Sequence, residues 1–171
     1  MKQSKAKTAA LYGLLIALSF TLSYLEHLLP LPVGIPGVKL GLANLVVVTA
    51  LYLLGAKKAF PVAVVRILLA GLAFGNAFSL LYSLAGGLLS FFVMLLGKRT
   101  KLSPVGVSVA GGVSHNVGQI AVAAAVMRTA RIVYYLPVLL GAGLGTGLLI
   151  GLIAAPVIRR LKKGNINLHI L

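Results

Sequence analysis

Apolar residues run along this chain in stretches about as long as a bilayer is thick, separated by short polar or basic breaks. A helix crossing the hydrocarbon layer needs about 20 apolar residues. Six stretches read as candidates: 8–29, 39–54, 59–78, 79–96, 104–127 and 134–158. The first stops at Pro30-Leu31-Pro32, and the Pro- and Gly-rich run from Pro30 to Gly37 reads as a loop. The second stops at Gly55 and Lys57-Lys58. The third has Pro61 in its first turn, where a missing N–H is tolerated, and Gly75-Asn76 signals a turn. Basic clusters follow the fourth (Lys98-Arg99-Thr100-Lys101), the fifth (Arg128, Arg131) and the sixth (Arg159-Arg160-Leu161-Lys162-Lys163). The pattern predicts one transmembrane domain over 1–171: an all-α integral membrane protein of about six helices, closed by a short basic tail, 159–171.

Composition removes the soluble alternative. The 171 residues are 60% hydrophobic and 10% charged, and a soluble domain of this length needs more polar surface. Mean hydropathy is +1.06. The net charge of +15 raises the question of nucleic acid, but the bases sit in clusters between apolar runs, so no nucleic-acid partner is expected. Cysteine is absent, which excludes disulfides, thiol catalysis and a Cys-based metal site. The basic start, Met1 to Lys7, resembles a signal-peptide leader. The apolar run behind it is too long for one, and it reads as a retained first helix.

Charge then sets orientation. Six crossings place both termini on one side, together with Lys2, Lys5, Lys7, Lys57, Lys58, Lys98, Arg99, Lys101, Arg159, Arg160, Lys162 and Lys163. The other side has Lys39, Arg128 and Arg131. Positive loops stay in the cytoplasm, so the chain is expected in the cytoplasmic membrane, multi-pass, with both ends inside.

Little in the chain can carry chemistry. There is one acid, Glu26, and no nucleophile motif, phosphate loop or acidic metal cluster. Magnesium-dependent handling of a diphosphate ester wants several acids. The expectation is therefore a non-enzyme, with no metal and no cofactor. Polar residues within the spans are the remaining candidates. The fifth helix carries Ser114-His115-Asn116-Val117-Gly118-Gln119, with His115 and Gln119 four apart on one face. Polar groups in lipid are expensive unless they face a cavity or a partner, so these either bind a ligand or hydrogen-bond between helices. Asn44 and Asn76 have the same two readings. Arg66 lies about 12 Å from the basic end at 1.5 Å per residue. Glu26, the only acid, is a natural ion-pair partner for Arg66, Lys39 or Arg128. Small residues recur at Ala9, Gly13 and Ala17, and at Gly143, Gly147 and Gly151. Such rows pack helices within the bundle, or dock another subunit if they face outward.

Three blocks carry a family resemblance: Pro36-Gly37-Val38-Lys39-Leu40-Gly41-Leu42-Ala43-Asn44-Leu45; Val65-Arg66 through Phe74-Gly75-Asn76 to Gly86-Gly87; and Ser114 to Gln119. They resemble the Gx transporter family, whose members are often called heptaprenyl diphosphate synthase component I. That family is similar to the substrate-binding S-components of energy-coupling-factor (ECF) vitamin transporters. The resemblance implies a six-helix S-component-like bundle. It implies a pocket open to the outside under the loop between the first two helices. It also implies docking of the first helix, through Ala9, Gly13 and Ala17, on a transmembrane coupling subunit driven by two ATPases. The expected function is substrate capture for uptake of a small molecule of vitamin or cofactor-precursor type. The expected ligand contacts are Lys39, Asn44, Asn76, His115, Asn116 and Gln119, with lipid around the bundle. The alternative is an accessory membrane subunit linked to heptaprenyl or polyprenyl diphosphate or quinone metabolism.

Overall fold

The computed structural model describes residues 2–28 and 40–164, and they are helical apart from short turns. The elements are α1 (Lys2–Leu28), α2 (Leu42–Leu54), α3 (Ala56–Phe74), α4 (Ala77–Arg99), α5 (Pro104–Met127), a 3-10 helix (Ala130–Tyr135) and α6 (Leu136–Lys163). No strand occurs among the described residues. In lipid every backbone polar group must be satisfied within its own segment, and a helix does this without help from neighbours. Four segments are long and apolar enough to cross a membrane: 5–28, 77–99, 104–127 and 130–163. The other two depart for stated reasons. α2 has 13 residues, about 20 Å of helix. α3 carries Lys57, Lys58 and Arg66 within 19 residues.

Boundaries moved where local chemistry overrides hydropathy. The third helix was expected to run to 78 but stops at Phe74. There Asn76 starts a new helix, accepting from the Ser79 N–H at 2.8 Å while Ser79 Oγ accepts from the Asn76 N–H. The last helix continues to Lys163 instead of yielding to a tail at 159, because Lys and Arg are good helix formers and suit a C-terminal turn. The residues expected to open the second helix include Lys39, which lies outside the described residues, as does the Pro30 to Gly37 loop.

α2 sits at the centre, touching α1, α3 and α6 and, less closely, α4 and α5. Its C-terminal end lies at the basic end of the bundle. There Lys98 Nζ donates to the Leu51 carbonyl, Tyr52 Oη donates to the Leu102 carbonyl at 2.6 Å, and Lys98 and Lys162 both lie over the Tyr52 ring. The core around α2 comprises Val47, Val48, Leu51, Ala59, Phe91, Met94, Val107 and Ile158, among others.

The two halves pack differently. α4, α5 and α6 meet backbone to backbone. A Cβ on Gly118 would come within 2.9 Å of Gly86 Cα, and one on Gly147 within 2.7 Å of Val109 Cα. A Cβ on Gly151 would meet Val105 Cα at 2.7 Å. The row Gly143, Gly147 and Gly151 is therefore consumed inside the bundle. α1 instead lies against α2 and α3 through side chains, with Phe20, Tyr24 and His27 all packed on Phe74. Its opposite face is bare. Ala9, Gly13 and Ala17 are exposed, and a Cβ on Gly13 would meet nothing within 4 Å.

Candidate ligand-binding site

α2 starts deep in the bundle. Its C-terminus is fixed at the basic end, and its first turn reaches only the level of Met94, where Asn44 Nδ2 lies 3.9 Å from the thioether sulfur. α5, with 24 residues, is about 36 Å long, so α2 falls some 16 Å short of it. Gly41 caps α2 in the left-handed conformation, φ 75°, where glycine carries no Cβ penalty. Its N–H donates to Glu26 Oε1 at 2.6 Å. A carboxylate at a helix N-terminus is favourable, since it meets both an orphan N–H and the positive end of the dipole.

Two turns above Met94, α4 carries Gly86-Gly87. A Cβ on Gly86 would lie 2.7 Å from the His115 carbonyl oxygen, 2.9 Å from Gln119 Cγ and 3.1 Å from His115 Cε1. On the neighbouring side, Gly87 receives Ile67 of α3, the residue after Arg66. Paired glycines thus let α3 and α5 each close on α4 at one level, with Ile67 on one side and His115 and Gln119 on the other, while α3 and α5 do not touch each other. Arg66 Nε is buried with no hydrogen-bond partner, and Glu26 is within electrostatic reach of its guanidinium. Gln119 is 4% exposed and makes no hydrogen bond to a described residue, but its amide is not among the fully enclosed atoms. Buried polar groups in native proteins nearly always have partners, so Arg66 Nε is an exception that requires an account.

The other expected contacts fare differently. Asn116 Nδ2 donates to the Leu139 carbonyl at 2.5 Å, tying α5 to the first turn of α6. Ser114 returns its hydroxyl to Ala110 and Gly111 of its own helix. Asn76 is exposed, and capping of α4 accounts for it. Thr49 and Ser108, not singled out in the sequence, also bury hydroxyl oxygens without partners. The glycine pair at 86–87 was visible in the sequence as a double gap within an apolar span. What fills the gap, Ile67 on one side and His115 with Gln119 on the other, was not. Near the opposite end, Ala130, Arg131, Val133, Tyr134 and Pro137 line an open depression away from these buried groups. Among the described residues no three His, Cys, Asp or Glu side chains come together to hold a metal ion.

The profile of the family described as heptaprenyl diphosphate synthase component I matches residues 15–157. The chain belongs to that family. The match takes in all three blocks on which the resemblance rested, from the middle of α1 to the later turns of α6. Neither the curated proteins nor the solved structures yield a match.

Proposed function

We propose that this chain is the substrate-binding membrane subunit of an uptake system for a small molecule, similar to an S-component, and is not itself an enzyme. The observation that carries the reading is Gln119: a mid-span residue, 4% exposed, whose amide makes no hydrogen bond to a described residue and which lies beside the glycine pair of α4. A purely structural polar residue in lipid is retained because it bonds across helices, as Asn116 does. Gln119 does not, and a ligand is the partner that accounts for it. The start of α2 at Leu42, level with Met94, supports the same reading, since helices interrupted near mid-membrane are where transporters place substrate. His115 at the same level is a further ligand contact, and Asn44 marks the floor. The bare face of α1 at Ala9, Gly13 and Ala17 supports docking on a coupling subunit, which would bring the two ATPases. The orientation keeps both termini in the cytoplasm.

Native mass spectrometry of the detergent-solubilised protein tests this directly. A bound small molecule, lost from Gln119→Ala, is the expected result. An empty protein that copurifies with no coupling subunit would defeat the reading. The family's printed name supports a second reading, an accessory subunit of polyprenyl diphosphate synthesis. Copurification with a soluble prenyltransferase, and faster chain elongation in its presence, would select that reading instead.

A further inference from the structure

The helices around α2 do not close completely. α1 touches α3, α3 touches α4, α4 touches α5 and α5 touches α6, whereas α6 and α1 both touch α2 but not each other. One side of α2 is therefore left without a helix over it among the described residues. The burial pattern agrees. From Leu45 to Tyr52 every residue is buried except Leu45, Thr49 and Tyr52. Spacings of four and three put these on one face. They line a seam between α1 and α6.

The foot of the seam is basic. Tyr52 is held by its hydroxyl, which donates to the Leu102 carbonyl at 2.6 Å. Lys98 Nζ lies 5.4 Å from the centre of its ring, and Lys162 Nζ 5.9 Å. Ammonium charges from α4 and α6 thus meet at one ring, close enough to act on each other. Lys98 spends one of its three donors on the Leu51 carbonyl, and Lys162 is exposed. No acidic side chain offsets them. Glu26, the only one in the whole chain, is fixed at Gly41, about 16 Å along α2 from Tyr52.

Like charges gathered at the edge of a low-dielectric layer call for an anion. At the level where basic clusters end the helices, the anion at hand is a lipid phosphate. Its oxygens can accept from both ammonium groups. A zwitterionic headgroup brings a cation of its own into the same cluster. The attached chain supplies apolar cover for the uncovered face of α2.

We propose that an anionic phospholipid occupies this seam, its phosphate on Lys98 and Lys162 and one acyl chain along Leu45 and Thr49. The site is separate from Gln119 and does not depend on the binding-subunit reading.

The test offers equal phosphatidylglycerol and phosphatidylcholine to the full chain, stripped of lipid in a neutral detergent, and reads retained lipid by native mass spectrometry. The expected result is one retained phosphatidylglycerol, preferred at least ten-fold. Lys98→Gln/Lys162→Gln should abolish the preference. Lys5→Gln/Lys7→Gln, which removes the same charge from exposed lysines near the start of α1, should keep it. If the first double variant does not fold, Lys162→Gln alone decides, by lowering the preference. A photo-crosslinker at Thr49 should capture phosphatidylglycerol. Equal retention of the two lipids, or equal loss in the Lys5/Lys7 variant, overturns the proposal. Inorganic phosphate that raises the melting midpoint as much as the lipid overturns it, since the seam then plays no part. Capture of another membrane protein at Thr49 in place of lipid gives the seam to a partner helix and overturns it as well.

Discussion

Glu26 accepts a hydrogen bond from the Gly41 N–H at 2.6 Å, so the only carboxylate of the chain fastens α1 to the start of α2. The bond is charge-assisted, and Glu26 also lies within reach of Arg66. Hydrogen bonds to charged groups contribute about 1.5–3 kcal/mol. Glu26→Ala is expected to lower stability by about that amount, and Glu26→Gln by less, since an amide oxygen still accepts. The double variant Glu26→Ala/Arg66→Gln should cost less than the sum of the singles, because the first change leaves Arg66 without its counter-charge. Thermal melting in one detergent measures all four proteins. Strict additivity would show that the two charges do not communicate.

Asn116 and Gln119 are close in sequence and opposite in expected behaviour. Asn116→Ala strands the Leu139 carbonyl and should destabilise the fold by roughly 1–3 kcal/mol. Gln119→Ala removes a group that has no partner in the described protein, so the apo protein should melt almost unchanged. Its cost should appear as weaker ligand binding, by roughly 1–3 kcal/mol for the lost bond. The midpoint with and without ligand separates the two effects. A ligand-induced shift in Gln119→Ala equal to that of the parent would place Gln119 outside the site.

The glycine rows make a third contrast. Gly147→Ala pushes a methyl group against the Val109 backbone, where no side chain can turn aside, and should cost about 1–3 kcal/mol as an overpacked contact. Gly13→Leu meets open space and should leave the isolated subunit folded. If α1 docks a coupling subunit, Gly13→Leu stops uptake while ligand binding persists. Unfolding of Gly13→Leu would contradict the exposed placement of this face.

Topology is testable without a ligand. Reporters fused after Lys58, Arg99 and Leu171 should all read cytoplasmic, and one after Arg131 should read external, as the loop charges require. An external reading at Leu171 combined with an internal N-terminus means an odd number of crossings.

Class, helix number and most helix positions were legible because they depend on hydropathy and on breakers such as Gly55, Ser103-Pro104 and Gly75-Asn76. The fifth helix, 104–127, was read at its observed bounds because Ser103 caps it and Pro104 opens it. The candidate site was legible only in part. His115 and Gln119 stood out as polar residues four apart. Which of the polar residues was already satisfied depends on a partner far along the chain, Leu139 for Asn116, and no local pattern encodes that. Glu26 was expected to pair with a base. Its bond to a backbone N–H was invisible for the same reason, since every residue carries one.

The unequal packing of the two halves has a mechanical consequence. Where backbones touch without side chains between them, rotamers offer no slack, and α4, α5 and α6 should shift as a single stiff body. α1 rests on aromatic rings, which can slide and re-stack, so compliance is concentrated on its side of the molecule. Amide exchange should therefore be slowest around 86–90, 108–118 and 143–151 and fastest along α1. A subunit built this way can rock one edge against a partner and leave the floor and wall at Gly86-Gly87 undisturbed.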